Sequence, residues 1–589
     1  MRRIAAVLIG LVIMSPVVSL AWQENGVVIC DDSDSQSNPR IASDDLYGAI
    51  ITWVDHRGES YDIYAQRVDS SGTRQWIPLN GIVICDAAGT QRSCKIVPDG
   101  SDGAIITWRN DNADWNIYAQ RANSLGERQW SPLNGVLICV DDGPHSLWHY
   151  ETVADGSEGA IIIWKDTEGA GAPGIIYAQK VNSSGTLLWG SNGKVVSDAS
   201  EHAKNPVAVT DGSGGAIIVW WDERAGVDFD IYAQRVDSSG NRQWGLSDLC
   251  VCDVVNDQQN SKIASDGSGG AIIVWDDDVN GNGSFYKVYA QKVNSSGTPE
   301  WDPNGVCICN EISVYPEIVA DGSGGAIIVW QDYRSGSNLD IYAQRVNSSG
   351  ISQWGANGIC LCNAGGNQTN HKIIADGFGG AIITWDDERD GRQDIYAQRV
   401  DSNGSIHSGW TSNGVLICDT TGASVFGIYP QIVPDGSGGA IMTWDDLRNP
   451  ANNGDIYAQR VTADGIVGIE EKTVIRHRAI GISVEVYPNP FKTQTAIRFS
   501  PYASRHELKI YDISGKQVKY FFTSHPIRVS PEKRGRFARE GRFDQSPTTS
   551  HCLVWDGTDD YGHRLPPGVY FVQFKAEDLQ AAEKILIIE

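Results

Sequence analysis

The side chains best placed to do chemistry occupy one recurring position. Four residues before a repeated Asp-Gly or Asp-containing turn stand Arg40, Lys95, Glu151, Val207, Lys262, Glu317, Lys372 and Gln431. Four bases and two acids gathered around one axis would hold a small anionic or zwitterionic group. The same residues, paired with one another, would instead line a water-filled channel. A second candidate is Asp276-Asp277-Asp278-Val279-Asn280-Gly281. It reproduces the opening of a calcium loop, with oxygen ligands Asp276, Asp278 and Asn280 at positions 1, 3 and 5 and Gly at 6. Position 12 is Lys287, where such a loop needs a bidentate carboxylate, so a solvated acidic turn stands beside the Ca2+ reading. No other cofactor is expected.

Cysteine is the next reactive type, with 12 residues. Cys30, Cys85, Cys139, Cys252, Cys309, Cys362 and Cys418 share one repeat position, which Ser197 fills in the remaining repeat. Copies in neighbouring repeats should exceed the roughly 7 Å limit between bridged Cα atoms, which predicts buried free thiols. Cys250, Cys307 and Cys360 fall two residues earlier, where other repeats carry Val or Leu, and a small buried apolar position is predicted for them. The carboxylates of a Trp-x-Asp motif (Asp55, Asp166, Asp222, Asp277, Asp332, Asp387, Asp446) obey the repeat, which assigns them to turn hydrogen bonding. A catalytic constellation should break the repeat. The third repeat departs most, with His145, Trp148, His149 and Ala170-Gly171-Ala172-Pro173, yet their spacing assembles no nucleophile and base.

The elements that position these residues follow from the repeat itself. Asp-Gly-Ser-Gly-Gly-Ala-Ile-Ile-Val-Trp at 211–220 occurs, with small changes, in eight copies, its Trp at 53, 108, 164, 220, 275, 330, 385 and 444. A second landmark, Ile-Tyr-Ala-Gln-Arg/Lys, follows each copy or a close variant of it. Within 316–362, four short β-branched or alternating runs are separated by Gly-rich turns, the pattern of a four-stranded propeller blade. Residues Trp22 to Cys30 match the fourth run, and the last repeat, ending near Gly465, lacks one. An N-terminal strand completing the last blade would close the ring and remove both exposed edges. The expected fold is all-β: an eight-bladed β-propeller over 22–465.

Residues 466–480 read as a linker. Val486-Tyr487-Pro488-Asn489-Pro490-Phe491, Leu508-Lys509-Ile510-Tyr511-Asp512 and Leu565-Pro566-Pro567-Gly568-Val569-Tyr570 then outline a small Ig-like β-sandwich over 481–589. A segment at 526–548 with six basic and three acidic residues, flanked by two copies of Thr-Ser-His, reads as a mobile insertion.

The repeat blocks resemble those of large secreted bacterial proteins with propeller architecture. The C-terminal motifs resemble the sorting domains of type IX secretion cargo and the Ig-like domain of flagellar hook-assembly proteins. That resemblance implies a domain recognised by secretion machinery, which carries or anchors the propeller at the cell surface.

Arg2-Arg3, the apolar run Ile4 to Met14 and Ser19-Leu20-Ala21 form the pattern of a signal peptide over 1–21. No apolar run is long enough for a transmembrane segment. The chain of 589 residues carries a net charge of −26. Residues 466–589 hold 18 basic and 15 acidic side chains and the first 21 add two basic ones, which leaves −31 on the propeller. Such a field excludes nucleic acid as a partner. The expected function is non-catalytic recognition or adhesion, secreted or at the outer surface, with an extracellular glycan or surface protein as partner. A secreted carbohydrate-active or other hydrolase and a structural surface-layer component are the alternatives.

Overall fold

The computed structural model describes residues 22–468 apart from 112–114, 140–148, 168–173, 198–202, 225, 227, 420–428 and 450–453. It also describes 483–487, 495–500, 506–512, 516–523, 551–560, 563–576 and 579–587. The signal segment 1–21, most of the linker, the 526–548 insertion, His145, Trp148 and 170–173 lie outside the described residues. The chain divides into two units at residue 470.

The first unit is an eight-bladed propeller of four-stranded antiparallel sheets. Blade 1 runs Gln36–Ser43, Ala49–Asp55, Asp62–Val68 and Ile82–Cys85. Blade 8 has Gln431–Pro434, Ala440–Asp446 and Asp455–Val461, and its fourth strand is Val27–Cys30 from the other end of the unit. Val27 pairs with Ala458 and Val28 with Tyr457, so the ring is closed by strand exchange between the two ends. The second strands read Ala-Ile-Ile-x-Trp and are buried on both faces, as a strand between two packed blades must be. Their Trp side chains are fully enclosed and stack on the Tyr of the third strand, Trp108 on Tyr118 with 6.2 Å between ring centroids. A Cβ on Gly358 (φ +77) would sit 2.6 Å from the Trp330 ring, which explains glycine there.

Each blade grips the next through a second Trp and the Arg or Lys of Gln-Arg/Lys. Trp76 Nε1 donates to the Ser124 carbonyl at 3.0 Å. Arg67, tied by its Nε to Asp44 at 2.8 Å, reaches that carbonyl at 3.1 Å. At the closure, Trp22 Nε1 and Arg460 Nη1 donate to the Ser70 carbonyl at 2.9 and 3.2 Å.

The Trp-x-Asp carboxylates do turn work. Asp332 accepts from Trp330 Nε1 at 2.8 Å and from the Arg334 backbone N–H at 2.9 Å, and the Arg334 guanidinium lies 3.8 Å over the Tyr342 ring. Beside this cluster sits the recurring Cys. Burial pushes the Cys30 and Cys362 thiols up to about 12 despite the neighbouring arginines, so they remain protonated. The earlier cysteine position departs from expectation. Cys250 is half-buried and Cys307 and Cys360 are exposed, because they lie on the outermost strand of the blade, where nothing covers alternate residues. Maleimide is therefore expected to label Cys307 and Cys360 in the native protein, and Cys30, Cys252, Cys309, Cys362 and Cys418 only after denaturant; mass spectrometry of the adducts checks it.

The second unit has a three-stranded sheet (Ser483–Tyr487, Thr495–Ser500, His551–Trp555) and a four-stranded sheet (Gln517–Thr523, His506–Asp512, Gly568–Ala576, Leu579–Ile587). Trp555 of the first meets Tyr570 of the second edge to face at 6.1 Å. Among the described residues, no helix is long and apolar enough to cross a membrane.

Candidate functional site: the mouth of the axial channel

The first strands of neighbouring blades touch one another around the ring and so line its axis. Six of the eight carry a local break in pairing two residues before the charged position, and the first strands of blades 3 and 8 pair without one. Asn38, Ser93, Asn205, Asn260, Tyr315 and Asn370 have φ between 49 and 56°, and the register skips there, as between Ser37 and Arg40. A left-handed residue costs on the order of 1 kcal/mol unless it is Gly, and least for Asn. The bulge re-aims the residues that follow it. The side chains of Arg40, Lys95, Glu151, Val207, Lys262, Glu317, Lys372 and Gln431 all line cavities on the axis.

Most of these charges are paired. Lys95 Nζ lies 3.1 Å from Glu151, and Lys262 Nζ 3.0 Å from Glu317, whose same oxygen also receives Lys372. Burial alone would raise the Glu317 carboxyl, but Lys372 and Lys262 hold it down at about 2. Arg40 is different. Its Nη1 donates to the Pro39 carbonyl at 2.9 Å, and it makes no ion pair among the described residues, though its charge acts on Asp445 in the wall of the same lobe. The ring carries a net +2 inside a propeller of −31.

Above the ring the channel widens into a cavity of about 670 Å³. Trp221, Tyr315, Asn205, Asn260 and His371 join Lys262, Glu317 and Lys372 in its wall. A lobe of about 360 Å³, lined by Arg40, Gln431, Tyr429 and Asp445, continues it toward blades 8 and 1. This end of the ring is where second strands end and first strands begin, so the connections that vary between repeats all lead to it, while the uniform Asp-Gly turns lie at the other end.

Carboxylates from second strands hold the bulge residues, through the backbone N–H of Tyr315 and the side-chain amides of Asn260 and Asn370. Asp276 accepts from the Tyr315 N–H at 3.1 Å and from Asn260 Nδ2 at 2.9 Å, and Asp386 from Asn370 Nδ2 at 2.7 Å. Burial pushes Asp276 up to about 7 and Asp386 well above the usual carboxylate range. His371 is 3% exposed, neither ring nitrogen has a hydrogen-bond partner, and burial lowers it to about 4, so it is neutral at pH 7.

Of the residues proposed for calcium, Asp276 is engaged as above. Asp278 accepts from the N–H groups of Asn280 at 3.3 Å, Gly281 at 3.2 Å and Gly283 at 2.7 Å. Asp276 and Asp278 thus serve different partners, and no group of three or more His, Cys, Asp or Glu side chains is arranged to hold a metal ion among the described residues.

The sequence pattern left one ring unread, the middle residue of Trp-x-Asp: Val54, Arg109, Lys165, Trp221, Asp276, Gln331, Asp386 and Asp445. Trp221 and Gln331 face the main cavity and Asp445 its lobe. Its signal is variability itself, since it changes type from blade to blade between an invariant Trp and a nearly invariant Asp.

Residues 485–533 match the secretion system C-terminal sorting domain family. No curated protein matches the chain in sequence. Among solved structures, a fungal copper alcohol oxidase is similar at 11% identity and a TM-score of 0.31, covering 83% of this chain and 95% of that one. The α-L-arabinofuranosidase Arb93A of Fusarium graminearum is similar at 12% and 0.30, covering 53% and 93%. PorZ, a surface component of the type IX secretion system of Porphyromonas gingivalis, is similar at 12% and 0.25, covering 93% and 81%. The chain carries a type IX secretion sorting domain behind an eight-bladed propeller, and is an exported protein, secreted or attached to the outer cell surface.

Proposed function

We propose that the propeller is a non-catalytic recognition module that binds an extracellular glycan at the mouth of its axial channel. The observation that carries this reading is the cavity of about 670 Å³ whose wall breaks the eightfold repeat. Trp221 and Tyr315 offer aromatic faces for the C–H faces of a sugar, and Asn205 and Asn260 offer amides for its hydroxyls. A few convergent polar groups in a concave, partly aromatic wall are what a small-ligand site needs.

The two carboxylates in the wall of the main cavity, Glu151 and Glu317, argue against hydrolysis there. Glycoside cleavage needs one protonated acid and a second carboxylate roughly 5–9.5 Å away. Glu151 and Glu317 are both tied to lysines, and Glu317, held at about 2, has no proton to give near neutral pH. The test is a glycan-array and polysaccharide screen on the full exported chain, with product analysis of every hit. Intact glycan on the wild type and binding at least tenfold weaker in Trp221→Ala are expected; cleavage of any hit overturns the non-catalytic reading.

A further inference from the structure

A second lobe of the channel mouth, about 450 Å³ between blades 1 and 2, is lined by Arg40, Arg92 and Lys95 together with Tyr61, His149 and Tyr150. None of its lining residues is a carboxylate. This is unusual in a propeller of charge −31. It is also unlike the other arginines, because Arg57, Arg334, Arg389 and Arg448 are each bound to a buried Asp. Arg92 has no ion pair among the described residues; its guanidinium lies 4.5 Å over the Tyr61 ring, which fixes the side chain and leaves its N–H donors to the cavity. Arg40 uses one donor, on the Pro39 carbonyl. Lys95 shares its charge with Glu151, at 3.1 Å. The surroundings are cationic beyond the lining too: burial first, then Lys165, Lys95 and Arg109, hold His149 below its usual pKa. Two guanidinium groups with free donors, Arg40 half-buried and Arg92 exposed, match the planar fork of a carboxylate or the oxygens of a sulfate.

We propose that this lobe binds the anionic group of an acidic glycan, so that the ligand is a uronate-bearing or sulfated saccharide with its sugar rings in the larger cavity. The inference rests on the glycan reading above and adds charge to it. The same anionic chemistry has two sources, and the test separates them. Calorimetry on the full exported chain would use an oligogalacturonate, the same oligosaccharide with its carboxyl groups reduced to alcohols, and a sulfated oligosaccharide. The expected result is binding of at least one acidic ligand, at least tenfold weaker in Arg92→Gln and in Arg40→Gln, weakening with salt, and at least tenfold weaker for the reduced oligosaccharide if the uronate is the ligand. Arg92 is exposed, so its variant keeps the fold, and near-ultraviolet circular dichroism verifies that for both. Equal affinity for acidic and reduced ligands, or unchanged affinity in both variants, overturns the proposal while the glycan reading stands. If no saccharide binds, the glycan reading fails, and titration of sulfate and acetate decides the lobe alone. An anion effect lost in Arg92→Gln upholds the lobe as an anion site, and none overturns it.

Discussion

Deleting residues 22–30 is expected to abolish the folded propeller, and replacing Trp22 alone to weaken it severely. The strand Val27–Cys30 is the fourth strand of blade 8, and without it the third strand, Asp455–Val461, becomes an open edge carrying unpaired N–H and C=O groups. Ile29 is fully buried and Trp22 only 3% exposed, packed in one core with Trp53, Tyr64 and Ile456. Removing a buried Trp side chain costs about 3–5 kcal/mol. Trp22→Phe keeps most of the apolar contact and loses the bond to the Ser70 carbonyl, so it should cost only about 1 kcal/mol. Denaturant unfolding of the three variants is the measurement. The expected order is wild type, then Trp22→Phe, then Trp22→Ala, with the deletion variant insoluble or unfolding without a cooperative transition. A deletion variant that unfolds with the wild-type midpoint would show that blade 8 does not need its exchanged strand.

How far the molecule was legible depended on whether a feature belonged to one repeat or to the relation between repeats. Trp53 and its seven equivalents, with the unmatched fourth run at Trp22 to Cys30, made the eight blades and their closure readable, because a repeat samples the same local physics eight times. The charged position was readable for the same reason. The bulge that aims it was not, since Asn38 and Asn260 suit a left-handed conformation but Ser93 and Tyr315 carry no such mark. The residue x of Trp-x-Asp became informative only once second strands were seen to end at the mouth. Cys307 was misplaced because a position shared with Val and Leu says nothing of whether the outermost strand is covered. The placement of Arg92 was invisible in sequence, because its guanidinium rests on Tyr61 from the preceding blade.

The ring of paired charges makes a prediction in which stability and binding move in opposite directions. Glu317 neutralises two lysines at once, and its side chain is 20% exposed. Its folded-state pKa, about 2 against an ordinary 4.5, means that the ionised carboxylate stabilises the fold. Full conversion of that shift gives about 3 kcal/mol, and solvent screening of the partly exposed pair trims it to about 2 kcal/mol. Since the folded pKa is the lower one, this contribution is complete above about pH 4.5 and is lost as pH falls toward 2. Glu317→Gln should therefore be less stable than wild type by about 2 kcal/mol at pH 7, with the gap closing as pH approaches 2. Other groups move the wild-type curve the opposite way. Asp276, raised by burial to about 7, contributes stability below pH 4 that fades as pH rises toward 7. Lys262 acts on Asp276 and Glu317 acts on His371, so paired unfolding curves at pH 7 and pH 3 report Glu317 together with these two neighbours. A gap that is absent at pH 7, or that does not change with pH, would sink the assignment. The same substitution frees Lys262 and Lys372 and raises the ring from +2 to +3, so an acidic saccharide should gain affinity for the variant relative to a neutral one. A variant that is weaker as a fold and stronger as an anion receptor would mark Glu317 as the residue that holds the channel's charge in check.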